Sequence, residues 1–163
     1  MPGVRRGTCE DVPAVQRVGR RAWHAAHDDI VGADTVDAFL QRYYTPSRLE
    51  TAITDTERVF LVATADDEVI GFADAEQSDD GDRTWSLARI YVDPDYWGAG
   101  AGTTLLGDLE SRLRERGGRR LRLVVMAGND AAIGFYEARG FGRVDDHYDE
   151  FLDVEGYVYA KSL

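Results

Sequence analysis

The stretch Asp93-Pro94-Asp95-Tyr96-Trp97-Gly98-Ala99-Gly100-Ala101-Gly102-Thr103-Thr104 puts three glycines within five residues, just before a leucine-striped segment. Without Cβ atoms there, a ligand can approach the main-chain N–H groups, and a helix start adds about half a positive charge. Phosphate is the guest such a cradle suits. The spacing excludes two common phosphate binders. A P-loop carries lysine before its Ser/Thr, and here Gly98 leads to Thr103-Thr104 with no lysine. A dinucleotide fingerprint counted from Gly98 needs glycine at 101, where alanine stands; counted from Gly100 it needs glycine at 103, where threonine stands. A second constellation lies about thirty residues on, with Asn129, Ala132, Phe135, Tyr136, Gly140 and Phe141 spaced Asn-x-x-Ala-x-x-Phe-Tyr-x-x-x-Gly-Phe. Read alone, Tyr136 is a core-facing aromatic at helical spacing and Asn129 a helix cap.

Other titratable groups are candidates for proton transfer. Asp74 and Glu76, two apart on a strand-like run, share a face with Phe72 and Ile70. On a partly apolar face a carboxylate gains basicity, although strand-end carboxylates facing solvent fit the pattern equally well. His24 and His27, with Asp28, lack third and fourth ligands at suitable spacing, so no metal is expected. His147 is a further candidate base. Cys9, the single cysteine, forms no internal disulfide and no metal cluster, and a reducing cytoplasm is the default expectation.

The elements that must position these residues follow from periodicity. Val4 to Thr8 reads as an opening strand, with Thr8 as a helix N-cap. Val15, Val18, Ala22 and Ala26 recur at helical spacing from Pro13 onward. A second helix covers Ala33 to Tyr44, and Pro46 to Ile53 starts a third. Arg58–Ala65 and Val69–Gln77 form a hairpin around Asp66-Asp67-Glu68. An acidic turn, Ser78 to Arg83, leads to a strand over Trp85–Val92. A helix with Leu105, Leu106, Leu109 and Leu113 on one stripe stops at Gly117-Gly118. Leu121–Met126, interrupted only by Arg122, has the look of a strand buried on both faces. A short helix from Asn129-Asp130 to Gly140 and two strands, Phe141–Asp149 and Glu155–Lys161, end the chain. The order predicts an α/β (α+β) fold with one parallel crossover among antiparallel neighbours.

The glycine loop and the Asn-to-Phe141 constellation together resemble the GNAT superfamily of N-acetyltransferases, over essentially the whole chain. The resemblance implies a mixed, mostly antiparallel central sheet, helices on both faces, and a splayed parallel strand pair forming an acetyl-CoA cleft. It implies that backbone groups of Ile90, Tyr91 and Val92 pair with the pantetheine amides as an added strand would. The amides from Gly98 through Ala99, Gly100, Ala101 and Gly102 to Thr103 would hold the pyrophosphate. Asn129 would bond the pantetheine, Phe135 would pack near it, and Tyr136 would give a proton to the departing thiolate. One departure stands out: the family's loop usually has Arg or Gln three residues before its first conserved glycine, where this chain has Trp97. Weaker or rearranged phosphate contacts are expected from it, not lost binding. Relatives often carry a glutamate on the strand before the loop as base, and Trp85–Val92 has no carboxylate. Asp74 and Glu76 are the candidates in its stead. The acceptor site would be built from the first two helices and the last hairpin, with Trp23, His27 and Tyr43 in it. The function implied is transfer of an acetyl group from acetyl-CoA to a primary amine of a small molecule or peptide, by direct attack in a ternary complex. A non-catalytic acyl-CoA-sensing module, a different acyl chain and an O-acceptor are the alternatives.

Composition bounds the rest. The chain has 163 residues and 18.1 kDa, which fits one domain over 1–163. No apolar stretch approaches a membrane span, and Met1 to Arg6 lacks the apolar core of a signal peptide, so neither membrane insertion nor export is expected. Thirty acidic against 19 basic residues give a net charge of −11, with Lys161 the only lysine. That balance argues against nucleic acid as a partner, which needs a basic face. It suggests adaptation to a high-salt cytoplasm, with an arginine-favouring, GC-rich genome as the alternative. The acidic residues of the closing hairpin, Asp145, Asp146, Asp149, Glu150 and Asp153, read as a solvated face. A homodimer through the last strands is common in such folds, and no residue here fixes it.

Overall fold

The protein, a computed structural model, is described over residues 3–79 and 83–163; the middle of the expected Ser78–Arg83 turn lies outside the described residues. Seven strands form one sheet in the order β1-β2-β3-β4-β5-β7-β6. They are β1 (Gly3–Arg6), β2 (Val59–Ala65), β3 (Glu68–Gln77), β4 (Thr84–Val92), β5 (Arg120–Met126), β6 (Gly142–Asp149) and β7 (Val154–Ser162). Every neighbouring pair is antiparallel except β4–β5, which is parallel. The helices are α1 (Val12–Val31), α2 (Ala33–Tyr43), α3 (Pro46–Thr54), α4 (Ala101–Glu115) and α5 (Asp130–Ala138).

Two cores sandwich the sheet. On one face Val15 and Val18 of α1 and Leu49 of α3 meet Phe60, Val62 and Phe72. On the other, the α4 stripe Leu105, Leu106, Leu109 and Leu113 meets Leu61, Ala73 and Leu121. The α4 leucines recur at helical spacing, so one continuous apolar ridge is removed from water. Gly117, at φ +83°, ends that helix: its N–H bonds Arg114 O at 2.9 Å, and that of Gly118 bonds Leu113 O at 2.8 Å. A Cβ at Gly118 would lie 2.8 Å from both Leu113 O and the Trp85 ring, so only glycine fits.

Thr8 is an N-cap as expected, with a capping box to Asp11, whose carboxylate accepts from Thr8 N at 2.8 Å and pairs with Arg5; what it caps is a 3₁₀ turn over Cys9–Asp11 that runs into α1 at Val12. Two expectations change. Ile70 does not share a face with Asp74 and Glu76. The β2–β3 register jumps from Ala63↔Gly71 to Thr64↔Val69, leaving Ile70 as an extra residue whose side chain joins the α4 core. Strand β5 is not buried on both faces: Val124 at its centre is 47% exposed. The cause is the gap between β4 and β5.

Candidate active site

Strands β4 and β5 pair only at Thr84↔Arg120, Trp85↔Leu121 and Ser86↔Arg122. Beyond Ser86 they diverge. The β3–β4 register jumps there, from Asp74↔Arg89 to Ala75↔Leu87, so Ala88 is a bulge that bends β4 away from its parallel neighbour. The resulting cleft has a volume of about 780 Å³. Ile90, Tyr91 and Val92 form one wall, and Leu123, Val124, Val125 and Met126 the other.

The glycine loop closes one end. Asp93 starts it: its carboxylate accepts from Asp95 N at 3.0 Å and pairs with Arg21 of α1 at 3.2 Å. Gly98 and Gly100, at φ +79° and +89°, make the turn into α4. Thr104 N donates to Gly100 O at 3.0 Å, the first bond within the helix. The amides of Ala101, Gly102 and Thr103 precede that bond and so have no partner inside α4, which leaves donors facing the cleft. Trp97 fastens the loop to the strand: its indole Nε1 donates to Val92 O at 2.7 Å. That bond occupies the Val92 carbonyl, one of the groups expected to pair with a ligand. Ala99 does not line the cleft, whereas Trp97, Gly98, Gly100, Ala101, Gly102 and Thr103 do.

Helix α5 supplies the facing groups. Asn129 Oδ1 caps it by accepting from Ala132 N at 3.1 Å, yet Asn129 also lines the cleft, so cap and ligand contact are compatible. Phe135 packs against Gly102, 3.4 Å from where a Cβ would stand. Tyr136 is buried at the cleft wall, its ring meeting Phe135 and Phe141 at centroid distances of 5.5 Å. Burial raises its pKa, so the phenol keeps its proton at neutral pH. Arg139, which the sequence did not mark, reaches back to the loop. Its guanidinium bonds Thr103 Oγ1, donates to Phe135 O at 2.9 Å and stacks 3.7 Å over the Phe135 ring. An arginine one turn beyond the tyrosine, at the C-cap of the helix facing the cradle, was the available signal.

The open end carries α1, α2 and the last hairpin. Trp23 and His27 line the cleft, and Asp149, Glu155 and His147 reach it from the β6–β7 side. Asp149 thus does not belong wholly to a solvated face; its carboxylate also accepts from Leu152 N at 2.8 Å. A smaller adjoining pocket of about 310 Å³ shares Trp23, Tyr91 and Asp149 with the cleft and contains Tyr43 and Glu76. Asp74 lines neither. Its side chain is 0% exposed, 2.6 Å from the Arg58 guanidinium, and also bonded by Arg89. Held by two cations, that carboxylate ties β3 to β4 and to the bend before β2, and it lines no part of the cleft. Glu76 also pairs with Arg58. His24 sits apart from the cleft, with Nδ1 2.7 Å from Asp28 and Nε2 2.8 Å from Asp37. No group of three or more His, Cys, Asp or Glu disposed for a metal ion occurs among the described residues.

With that geometry in place, the comparisons assign the class. The Acetyltransferase (GNAT) family model matches residues 21–141, and the chain belongs to that family. Spermidine N(1)-acetyltransferase of Thermoplasma acidophilum is 25% identical over 162 residues, spanning 94% of this chain and 96% of that enzyme. The [ribosomal protein bS18]-alanine N-acetyltransferase of Escherichia coli is 48% identical over 71 residues, 44% of this chain and 48% of that one. Among solved structures, the PaiA N-acetyltransferase of Thermoplasma acidophilum in complex with coenzyme A superposes with a TM-score of 0.89, covering 100% and 99% of the two chains at 24% identity. That likeness establishes the shared fold.

Proposed function

We propose that this chain is an acetyl-CoA-dependent N-acetyltransferase acting on a primary amine of a small molecule or peptide, by direct attack in a ternary complex. The observation that carries the reading is the split parallel pair, with unpaired α4 amides at one end and a buried, protonated tyrosine in its wall. The Ala101, Gly102 and Thr103 amides and the Arg139 guanidinium suit a pyrophosphate. Ile90 and Tyr91, on the edge of β4 that β5 leaves free, present backbone groups to the pantetheine arm. Asn129 and Phe135 hold that arm from the other side. The acyl group supplies the electrophilic carbon.

The amine reaches that carbon from the open end, past Trp23, His27 and the pocket holding Tyr43 and Glu76. Its lone pair forms the C–N bond, the C–S bond breaks, Tyr136 donates its proton to the leaving thiolate, and the proton that the nitrogen sheds on becoming an amide passes through water to restore the tyrosinate. Holding both reactants in one cleft supplies about 7–11 kcal/mol, whereas one proton transfer is worth about 10²–10⁴-fold. The cleft therefore matters more than the acid. The small-amine and peptide-amine relatives both support an amine acceptor.

Thiol release from acetyl-CoA, measured against a panel holding spermidine, simple primary amines and N-terminal alanine peptides, tests the proposal. Turnover with any of them is the expected result. Binding of acetyl-CoA by calorimetry without turnover on any amine overturns it and favours the acyl-CoA-sensing reading.

A further inference from the structure

His27 stands on α1 at the cleft wall, 4% exposed, with its ring 4.3 Å from that of Trp23 and 6.2 Å from that of Tyr91, edge-on. Both ring nitrogens are buried, and neither has a hydrogen-bond partner. His24, one turn earlier on the same helix, has both nitrogens satisfied by carboxylates. An uncharged imidazole carries one donor and one acceptor, and a buried polar group left without a partner costs about 1–3 kcal/mol. A fold selected only for stability would have an apolar residue here. The penalty is retained at a position in the cleft wall, which the apolar Ala26, Met126 and Leu152 also line.

We propose that His27 is the residue that orients the acceptor: its uncharged imidazole accepts an N–H from the incoming amine and fixes the nitrogen lone pair toward the thioester carbon. The inference rests on the acetyltransferase reading and assigns a specific partner within it. The χ2 torsion of histidine is soft, so the ring can turn a nitrogen toward a docked amine without backbone movement. No proton leaves with His27. The ring must stay uncharged to accept, and its surroundings keep it so. Burial lowers its pKa to about 4 against the opposing charge of Asp28. Tyr91 faces it from β4, Asp37 on α2 is engaged by His24, and Asp149, Glu155 and His147 border the cleft from the β6–β7 side. An apolar wall with an uncharged partner also favours the free amine over its ammonium form, because a buried ammonium must shed its hydration. The free amine is the nucleophile.

The test is His27→Phe beside His27→Gln, each measured for acceptor kcat/KM, acetyl-CoA affinity and Tm. For His27→Phe, acceptor kcat/KM falls about 10- to 100-fold, the worth of a hydrogen bond left unmade. Acetyl-CoA affinity stays within about twofold, and Tm holds or rises because the orphaned nitrogens are gone. His27→Gln, which keeps an uncharged acceptor, recovers part of the loss. Between pH 5 and 8 the wild-type acceptor kcat/KM climbs without a break and His27→Gln climbs in parallel, since the rise follows the free fraction of an amine that titrates at about pH 8 or above and not residue 27. Should phenylalanine overpack the site, His27→Leu gives the same split. An unchanged acceptor kcat/KM, or a fall accompanied in both His27→Phe and His27→Leu by a loss of several degrees in Tm, overturns the inference. A wild type that turns over no amine removes the acetyltransferase reading itself; one that turns over normally while His27→Phe is silent removes only this assignment.

Discussion

Tyr136 and His24 show how environment, not residue type, sets a side chain's work. Burial raises the Tyr136 pKa, so the phenol holds its proton at neutral pH until the departing thiolate takes it. Tyr136→Phe is expected to lower kcat about 10²-fold, at the low end for one proton transfer, with acetyl-CoA affinity unchanged in calorimetry. His24 feels desolvation, which pulls its pKa down, but its hydrogen bonds to Asp28 and Asp37 prevail and the net shift is upward. A raised folded-state pKa stabilises fully below the unfolded value near 6.5, and the gain disappears as pH climbs through the folded value. Because Asp28 and Asp37 are 38% and 49% exposed, the gain is that of a surface pair, about 1 kcal/mol at most. Tm should therefore drop by about 2–4 °C or less from pH 6 to pH 8, and His24→Gln should flatten that drop in a thermal melt. Asp74 marks the limit of reading single residues. Its alternation with Glu76 was visible, but Arg58 and Arg89 meet it only through the register of three strands, and that pairing makes it a tie instead of a base.

The elements were largely legible because their patterns are strong. The α4 leucine stripe, the Gly117-Gly118 stop and the hairpin around Asp66-Asp67 all carry local signals that no distant contact overrides. The bulges were not legible. An extra residue at Ile70 or Ala88 leaves the apolar pattern of its strand intact and is fixed only by what the neighbouring strand offers. The glycine loop lies between these cases: its composition announced a turn, while the Trp97 bond to Val92 O depends on how the loop folds back. Gly100 adopts φ +89° with nothing within 4 Å of an added Cβ, so Gly100→Ala meets backbone strain rather than a clash. The expected cost is about 1 kcal/mol, a fall of about 2–4 °C in Tm. The methyl would stand at the mouth of the amide cradle, so acetyl-CoA affinity should weaken about tenfold or more. A titration calorimetry comparison with wild type checks both parts, and unchanged affinity would separate Gly100 from phosphate binding.

At the scale of the whole molecule, a net charge of −11 makes the folded chain repel itself. Added salt shortens the screening length from about 10 Å at 0.1 M to about 3 Å at 1 M. Tm should therefore climb by several degrees between about 0.05 and 2 M KCl, and a Tm that is flat across that range would count against adaptation to high salt. The two cores and the single sheet gather groups far apart in sequence into one cleft, with Trp23 and His27 from α1, Tyr91 from β4 and Tyr136 from α5.

By itself the sequence determined the element order, the parallel crossover, the amide cradle and the motif around Tyr136, because each is written in local spacing and residue type. Only the tertiary structure decided that Asp74 is locked by two arginines, that Arg139 joins the loop, and that both ring nitrogens of His27 go unmet. Those outcomes depend on strand register and helix docking, which emerge when distant apolar faces pack together, and local spacing alone does not decide them.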